Sequence, residues 1–184
     1  MKKLLILVAV IFIFAQTAWA EIGSSLHGFM ESDYARKNHL YFSRTHQIGS
    51  GAPTDMAKYI GYYEHTFAQK IGRTNFDYGL ILVTERAGGA NIVAQKLSFE
   101  TPRNWQDAEV IYPFVIDHIK EATAGKVAYT KEKFHMMMKE SRIGGGYLDR
   151  RSGFLIAVNT LKYREHLDPD RQEMVYLTEI LIRR

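Results

Sequence analysis

The sequence predicts an α+β domain, an antiparallel β-sheet with two or three helices packed on one face. Three observations carry that prediction. Apolar runs rich in β-formers occur at 78–84, 154–161 and 174–182. The strands they predict follow one another without a long intervening helix, which favours antiparallel pairing. Helical periodicity, with apolar residues three and four positions apart, is confined to a few stretches.

In chain order, residues 1–20 come first and stand outside the domain. Lys2 and Lys3 form a short positive region, an unbroken apolar run follows from Leu4 to Ala15, and Ala18-Trp19-Ala20 is a small-x-small cleavage pattern. This is the layout of a cleaved secretory signal peptide. The run is too short for a spanning helix, which needs about 20 apolar residues. The expected mature domain is 21–184, beginning at Glu21, in a periplasmic or secreted location.

Residues 21–28 are polar and rich in Gly and Ser, the composition of a loose start. Residues 40–48 are expected to form a first strand, and Gly49-Ser50-Gly51-Ala52-Pro53 breaks it. A helix is predicted next. Thr54 or Asp55 can cap it, Met56, Ile60, Tyr63, Phe67 and Ile71 share one face at helical spacing, and Gly72 can terminate it. The run 78–84 reads as a strand buried on both faces. Gly88-Gly89 turns the chain, and 91–99 returns as its hairpin partner.

Residues 107–122 place Ile111, Val115, Ile119 and Ala122 on one face, and Pro113 predicts that the regular helix starts there. Thr130 can cap a second helix with Phe134, Met137, Met138 and Ser141 on one side. Gly144-Gly145-Gly146 breaks the chain, and strands at 154–161 and 174–182 follow, joined through Asp168-Pro169-Asp170. The apolar character of both faces of 78–84 and 154–161 calls for a second covering layer or a partner.

Composition narrows the function classes. The chain has 24 Lys+Arg against 20 Asp+Glu. Loss of Lys2 and Lys3 with the signal leaves 22 against 20, a balance of +2 that does not imply nucleic-acid binding. There is no cysteine, so disulfides, zinc–thiolate sites and Cys nucleophiles are excluded. No H-E-x-x-H or G-x-S-x-G occurs, and neither a cofactor nor a metal is called for.

Three groups of residues compete as sites. Tyr62-Tyr63-Glu64-His65 and Tyr163-Arg164-Glu165-His166 each bring acid–base residue types together. A small envelope hydrolase built on Glu64, His65, Glu165 and His166 is one alternative, although neighbours on a helix do not face each other. His135 with Met136, Met137 and Met138 offers soft ligands suited to copper(I). The plainer reading of those methionines, as core fillers, is preferred.

The third group is Arg142, Tyr147, Arg150 and Arg151, set among Gly144–Gly146 and Ser152-Gly153. Arg forks pair with phosphate or carboxylate, an aromatic among cations is a usual interface ingredient, and loops on rigid scaffolds carry function. The expectation is therefore an exported binding, inhibitor or accessory protein of the bacterial envelope. Its partner would be another envelope or secreted protein, or an anionic envelope component.

Overall fold

The computed structural model describes residues 20–71, 76–88, 91–102, 104–164 and 174–184. Two short helices come first, α1 (Leu26–Met30) and α2 (Asp33–Lys37). Serine hydroxyls cap both: Ser25 Oγ accepts from Gly28 N at 3.0 Å and Ser32 Oγ from Ala35 N at 3.1 Å. Each has only five residues, too few to display a helical period. Tertiary burial of Phe29, Tyr34 and Ala35 holds them instead.

The expected loose start at 21–28 is in fact anchored. Ile22 is buried, its N–H donates to Ala122 O at 2.9 Å, and Gly23 N donates to Ile92 O at 2.8 Å. Burial of Ile22 in the main core overrides the Gly/Ser composition.

Strand β1 (Tyr41–Gln47) leads through a turn and a single 3-10 turn at Ala57–Tyr59 to β2 (Tyr63–Ile71), β3 (Phe76–Thr84) and β4 (Ile92–Glu100). The predicted helix over 54–72 is corrected here. Gly61 adopts φ +89, which ends any helix, and β2 is hydrogen-bonded to β1 on one side and β3 on the other. The pattern misled because residues four apart share a face in a strand as well as on a helix. Tyr63, Phe67 and Ile71 satisfy both periods, and two-sided sheet pairing decides between them. The expected terminator, Gly72, lies outside the described residues.

Helix α3 (Trp105–Ala122) and helix α4 (Lys131–Gly144) follow β4. Helix α3 starts eight residues before the predicted Pro113. Asn104 caps it, Oδ1 accepting from Asp107 N at 2.9 Å. Pro113 sits inside the helix on its exposed side. The carbonyl of Glu109, deprived of its N–H partner, therefore faces water. Helix α4 begins as expected with Thr130 accepting from Lys133 N at 3.2 Å. It ends at Gly145 in the left-handed region, φ +74.

The chain closes with β5 (Tyr147–Arg151), β6 (Phe154–Arg164) and β7 (Met174–Arg183). Among the described residues the sheet has seven strands in the order β1-β2-β3-β4-β7-β6-β5, every pair antiparallel. The helices cover one face, as the sequence predicts. Ile111, Val115 and Ile119 of α3, and Phe134 and Met137 of α4, share a core with Phe67, Leu82, Leu97, Phe99 and Ile180 of the sheet.

The opposite face has a smaller apolar cluster. Ile48, Met56 and Tyr59, from the segment between β1 and β2, pack on Val83, Ala94, Ala157 and Leu181. The same segment supplies Asp55 to a buried cation. Lys96 Nζ lies 3.1 Å from Asp55 Oδ2 and 3.0 Å from Glu179 Oε1, and Lys96 is 4% exposed. Burial works to lower the Lys96 pKa, but the Glu179 and Asp55 carboxylates outweigh it and raise it. Part of the second layer that the two-faced strands call for is thus built from the chain's own loop.

Candidate anion-binding site

The site is built around the turn between β5 and β6. Arg151 and Phe154 are cross-strand partners, so the connection is only Ser152 and Gly153, at φ +52 and φ +80. Two left-handed residues in succession make the tight hairpin turn whose twist matches its strands. Gly153 occupies its position at no steric cost. Ser152 Oγ ties the turn to the α3–α4 loop by donating to Lys126 O at 3.2 Å.

Strand register then sets four arginines at this end of the sheet, two on each face. Leu155 pairs with Arg150 on one side and Arg183 on the other, so these three lie in a row on one face. One residue along, and therefore on the opposite, helix-covered face, Arg151 pairs with Phe154, and the Arg184 guanidinium lies 5.3 Å from the centre of the Phe154 ring. The Arg151 guanidinium lies 5.6 Å from the Tyr129 ring. Stacking of this kind holds a guanidinium in place while its N–H edge remains available for hydrogen bonding. The four arginines, with Phe154, Leu155 and the turn, line one pocket of about 450 Å3.

The electrostatics are one-sided. None of the lining residues is Asp or Glu. The nearest carboxylate, Asp149, accepts from the Tyr129 hydroxyl at 2.8 Å, and its Oδ2 stands 3.9 Å from Arg151 Nε. Burial first, then the Asp149 carboxylate, raises the Tyr129 pKa, so its hydroxyl remains a donor. Arg183 lies beside the Tyr59 hydroxyl, whose pKa burial raises while the Arg183 charge and hydrogen bond pull it down. Lys58, stacked 4.6 Å over the Tyr59 ring, has its pKa lowered by burial and then by the Arg183 charge.

Two of the four residues singled out from sequence, Arg150 and Arg151, line this pocket. The other two lie elsewhere. Arg142 donates from Nη2 to Pro102 O at 3.2 Å, and its guanidinium sits 5.7 Å from the Tyr176 ring. Tyr176 belongs to the end of β7 remote from Arg183. The Tyr147 hydroxyl accepts from Lys133 Nζ at 2.9 Å, with the ammonium 5.3 Å from its ring. Sequence reasoning missed Arg183 and Arg184. The signal was the Arg183-Arg184 pair following the last predicted strand, but its meaning depends on β7 lying beside β6.

The remaining candidates separate in space. His65, placed by the sequence on a helix, lies on strand β2 and is fully buried. The Thr84 hydroxyl donates to Arg86 O at 2.7 Å and therefore accepts from His65 Nε2 at 2.8 Å. His65 Nδ1 then accepts from Thr45 Oγ1 at 2.8 Å. Burial lowers the His65 pKa and keeps the ring neutral. Glu64, on the other face of β2, meets His46 across the sheet, with Oε1 at 2.9 Å from Nε2. Glu165 and His166 lie outside the described residues.

Met137 and Met138 are buried beneath α4, while Met136 is 39% exposed on another side, so their sulfurs do not converge. Among the described residues no three His, Asp or Glu side chains gather as a metal-binding group. Among the same residues no helix is long and apolar enough to cross a membrane. Compared with protein-family models, with curated proteins and with solved structures, the chain finds no match.

Proposed function

We propose that the chain is an exported binding protein that recognises an anionic group, on an envelope component or on a partner protein, through the arginine pocket at the β5–β6 turn. The observation that carries this reading is that Arg150, Arg151, Arg183 and Arg184 all line one pocket whose lining includes no Asp or Glu. Four arginines at one end of the sheet, with Asp149 the carboxylate near Arg151, repel one another, so their placement does not serve stability. The export half of the reading rests on the signal-peptide layout of residues 1–20. Binding is preferred to hydrolysis because His65, the one described histidine of the proposed acid–base set, has both ring nitrogens occupied by threonine hydroxyls.

The test is recovery of partners from native envelope extract by the tagged chain 21–184, with Arg150→Ala/Arg151→Ala alongside. A specific partner retained by the parent and lost by the variant is the expected result. Recovery of nothing by the parent, or equal recovery by both, would overturn the reading. N-terminal sequencing of the protein after expression from the full sequence checks the export half, with Glu21 the expected first residue.

A further inference from the structure

We propose that the outer edge of β5 takes up an extended acidic segment of a partner protein as an added antiparallel strand; this rests on the binding reading above and names the partner class. Strand β5 ends the sheet and pairs with β6 alone, in regular register over its whole length. The two-residue turn makes Arg151 and Phe154 a hydrogen-bonded pair, and such pairs alternate along an antiparallel ladder. Tyr147, Asp149 and Arg151 therefore direct their backbone groups to β6. The N–H and C=O of Leu148 and Arg150 point outward, and among the described residues they have no backbone partner there.

The side chains of the same two residues share one face. Leu148 pairs with Ala157 and Arg150 with Leu155, and Ala157 belongs to the apolar cluster on the face away from the helices. Leu148 is 67% exposed, and Arg150 is exposed beside it. Among the described residues no carboxylate is ion-paired with Arg150, whereas Arg151, on the other face, has Asp149 near it. A docked strand sets its own residues directly opposite these two, on the same face. In antiparallel order the residue facing Arg150 comes two places before the residue facing Leu148. The edge therefore selects Asp or Glu, then any residue, then a branched apolar residue. Main-chain hydrogen bonds supply affinity, and the two side chains supply the choice.

Charge decides against a second copy of the chain as the occupant. Strand β1, the other sheet edge, contains no acidic residue. Its register also shifts between Phe42 and Arg44, a bulge of the kind that blunts edges. Two β5 edges can pair only through their outward-facing positions, which sets Arg150 against Gly146, Leu148, Ser152 or another Arg150. The edge thus repels its own copies and admits a strand of opposite charge.

The test is a nuclear magnetic resonance titration of the chain 21–184 with a short capped peptide, Thr-Thr-Glu-Thr-Ile-Thr-Thr. Binding is expected to slow hydrogen exchange at the Leu148 and Arg150 amides. The same peptide with Lys for Glu should bind at least tenfold more weakly. Arg150→Ala should weaken the Glu peptide about tenfold, the loss of one charge-assisted hydrogen bond. Arg150→Glu should reverse the preference between the Glu and Lys peptides. N-methylation of the peptide's Glu and Ile, whose N–H groups face β5, should abolish binding, while N-methylation of the Thr between them should be tolerated. Unchanged thermal melting of the Arg150 variants shows that a lost signal is a lost contact.

Equal binding of the Glu and Lys peptides, indifference to N-methylation, protection centred on β1, or no binding at millimolar peptide would overturn the proposal. Citrate has carboxylates and no backbone to pair, so citrate binding as tightly as the peptide would place recognition in charge alone and overturn it too. If envelope recovery still depends on Arg150 and Arg151 in any of these cases, the binding reading survives and only the added strand falls.

Discussion

Acidification from pH 6.5 to pH 4.5 is expected to destabilise the fold by about 2 kcal/mol through one side chain, His118. His118 lies on the buried face of α3 with no exposed surface, and its Nδ1 is 2.7 Å from the Tyr34 hydroxyl of α2. Burial pushes its pKa down from 6.5 to about 3. The ring is therefore neutral in the folded protein where an unfolded chain would already bind a proton. A depressed pKa contributes stability that is fully present above pH 6.5 and is lost as the pH falls towards 3. The loss accrues at roughly 1.4 kcal/mol per pH unit, one pKa unit of differential proton affinity. Urea unfolding at half-unit intervals, for the parent and for His118→Gln, measures it. The variant is less stable at pH 7, because it disturbs a buried contact, but the gap between the two should shrink by about 2.5 kcal/mol by pH 4.5. Parallel pH curves for parent and variant would refute the reasoning, since every other titrating group is common to both. His65, also buried and lowered, adds to the acid loss of both proteins with the same sign and cancels in the difference.

Three further outcomes are expected. Lys96→Met should cost about 3 kcal/mol or more, because Asp55 and Glu179 would remain half-buried without their cation; it should also speed protease cleavage near Gly49–Gly51, as Asp55 no longer holds its segment to the sheet. Phe134→Ala empties a fully buried position under α4, and urea unfolding should register a loss of about 3–5 kcal/mol. Asn104→Ala removes the cap of α3, for which the expected cost is about 1 kcal/mol in the same assay.

The parts of the fold that were legible in the sequence are those whose burial leaves an unambiguous trace. Strands β3 and β6 each contain apolar runs longer than alternation allows, because the helices cover one face and the 48–62 segment part of the other. Helix α4 shows its cap, its buried side and its left-handed end in order. Strand β2 was misread because its apolar residues are spaced by four, a spacing common to both periods. Helices α1 and α2 were invisible because five residues do not complete two turns. The site was half legible for a related reason. Arg150 and Arg151 announce themselves beside a Ser-Gly turn, but their neighbours Arg183 and Arg184 are set by strand order, which is a tertiary fact. Arg142 and Tyr147 were grouped with them by closeness in sequence. The five residues of β5 carry the chain from Tyr147 to Arg151, so that closeness spans the length of a strand.

The placement of β7 has a consequence for the order in which the molecule forms. Strands β1 to β4 make one meander, and β5 and β6 make a separate hairpin; within the sheet they are joined only by β7, which lies between β4 and β6. Until residues 174–183 have been made and positioned, β4 and β6 each present an open apolar edge, and the sheet exists as two unconnected pieces. Closure requires pairing over a separation of about 80 residues, such as Leu97 with Ile180, which is a slow kind of contact to form. The two pieces are therefore locked together last, by the strand nearest the C-terminal end of the sequence, and both stay extensible until it pairs.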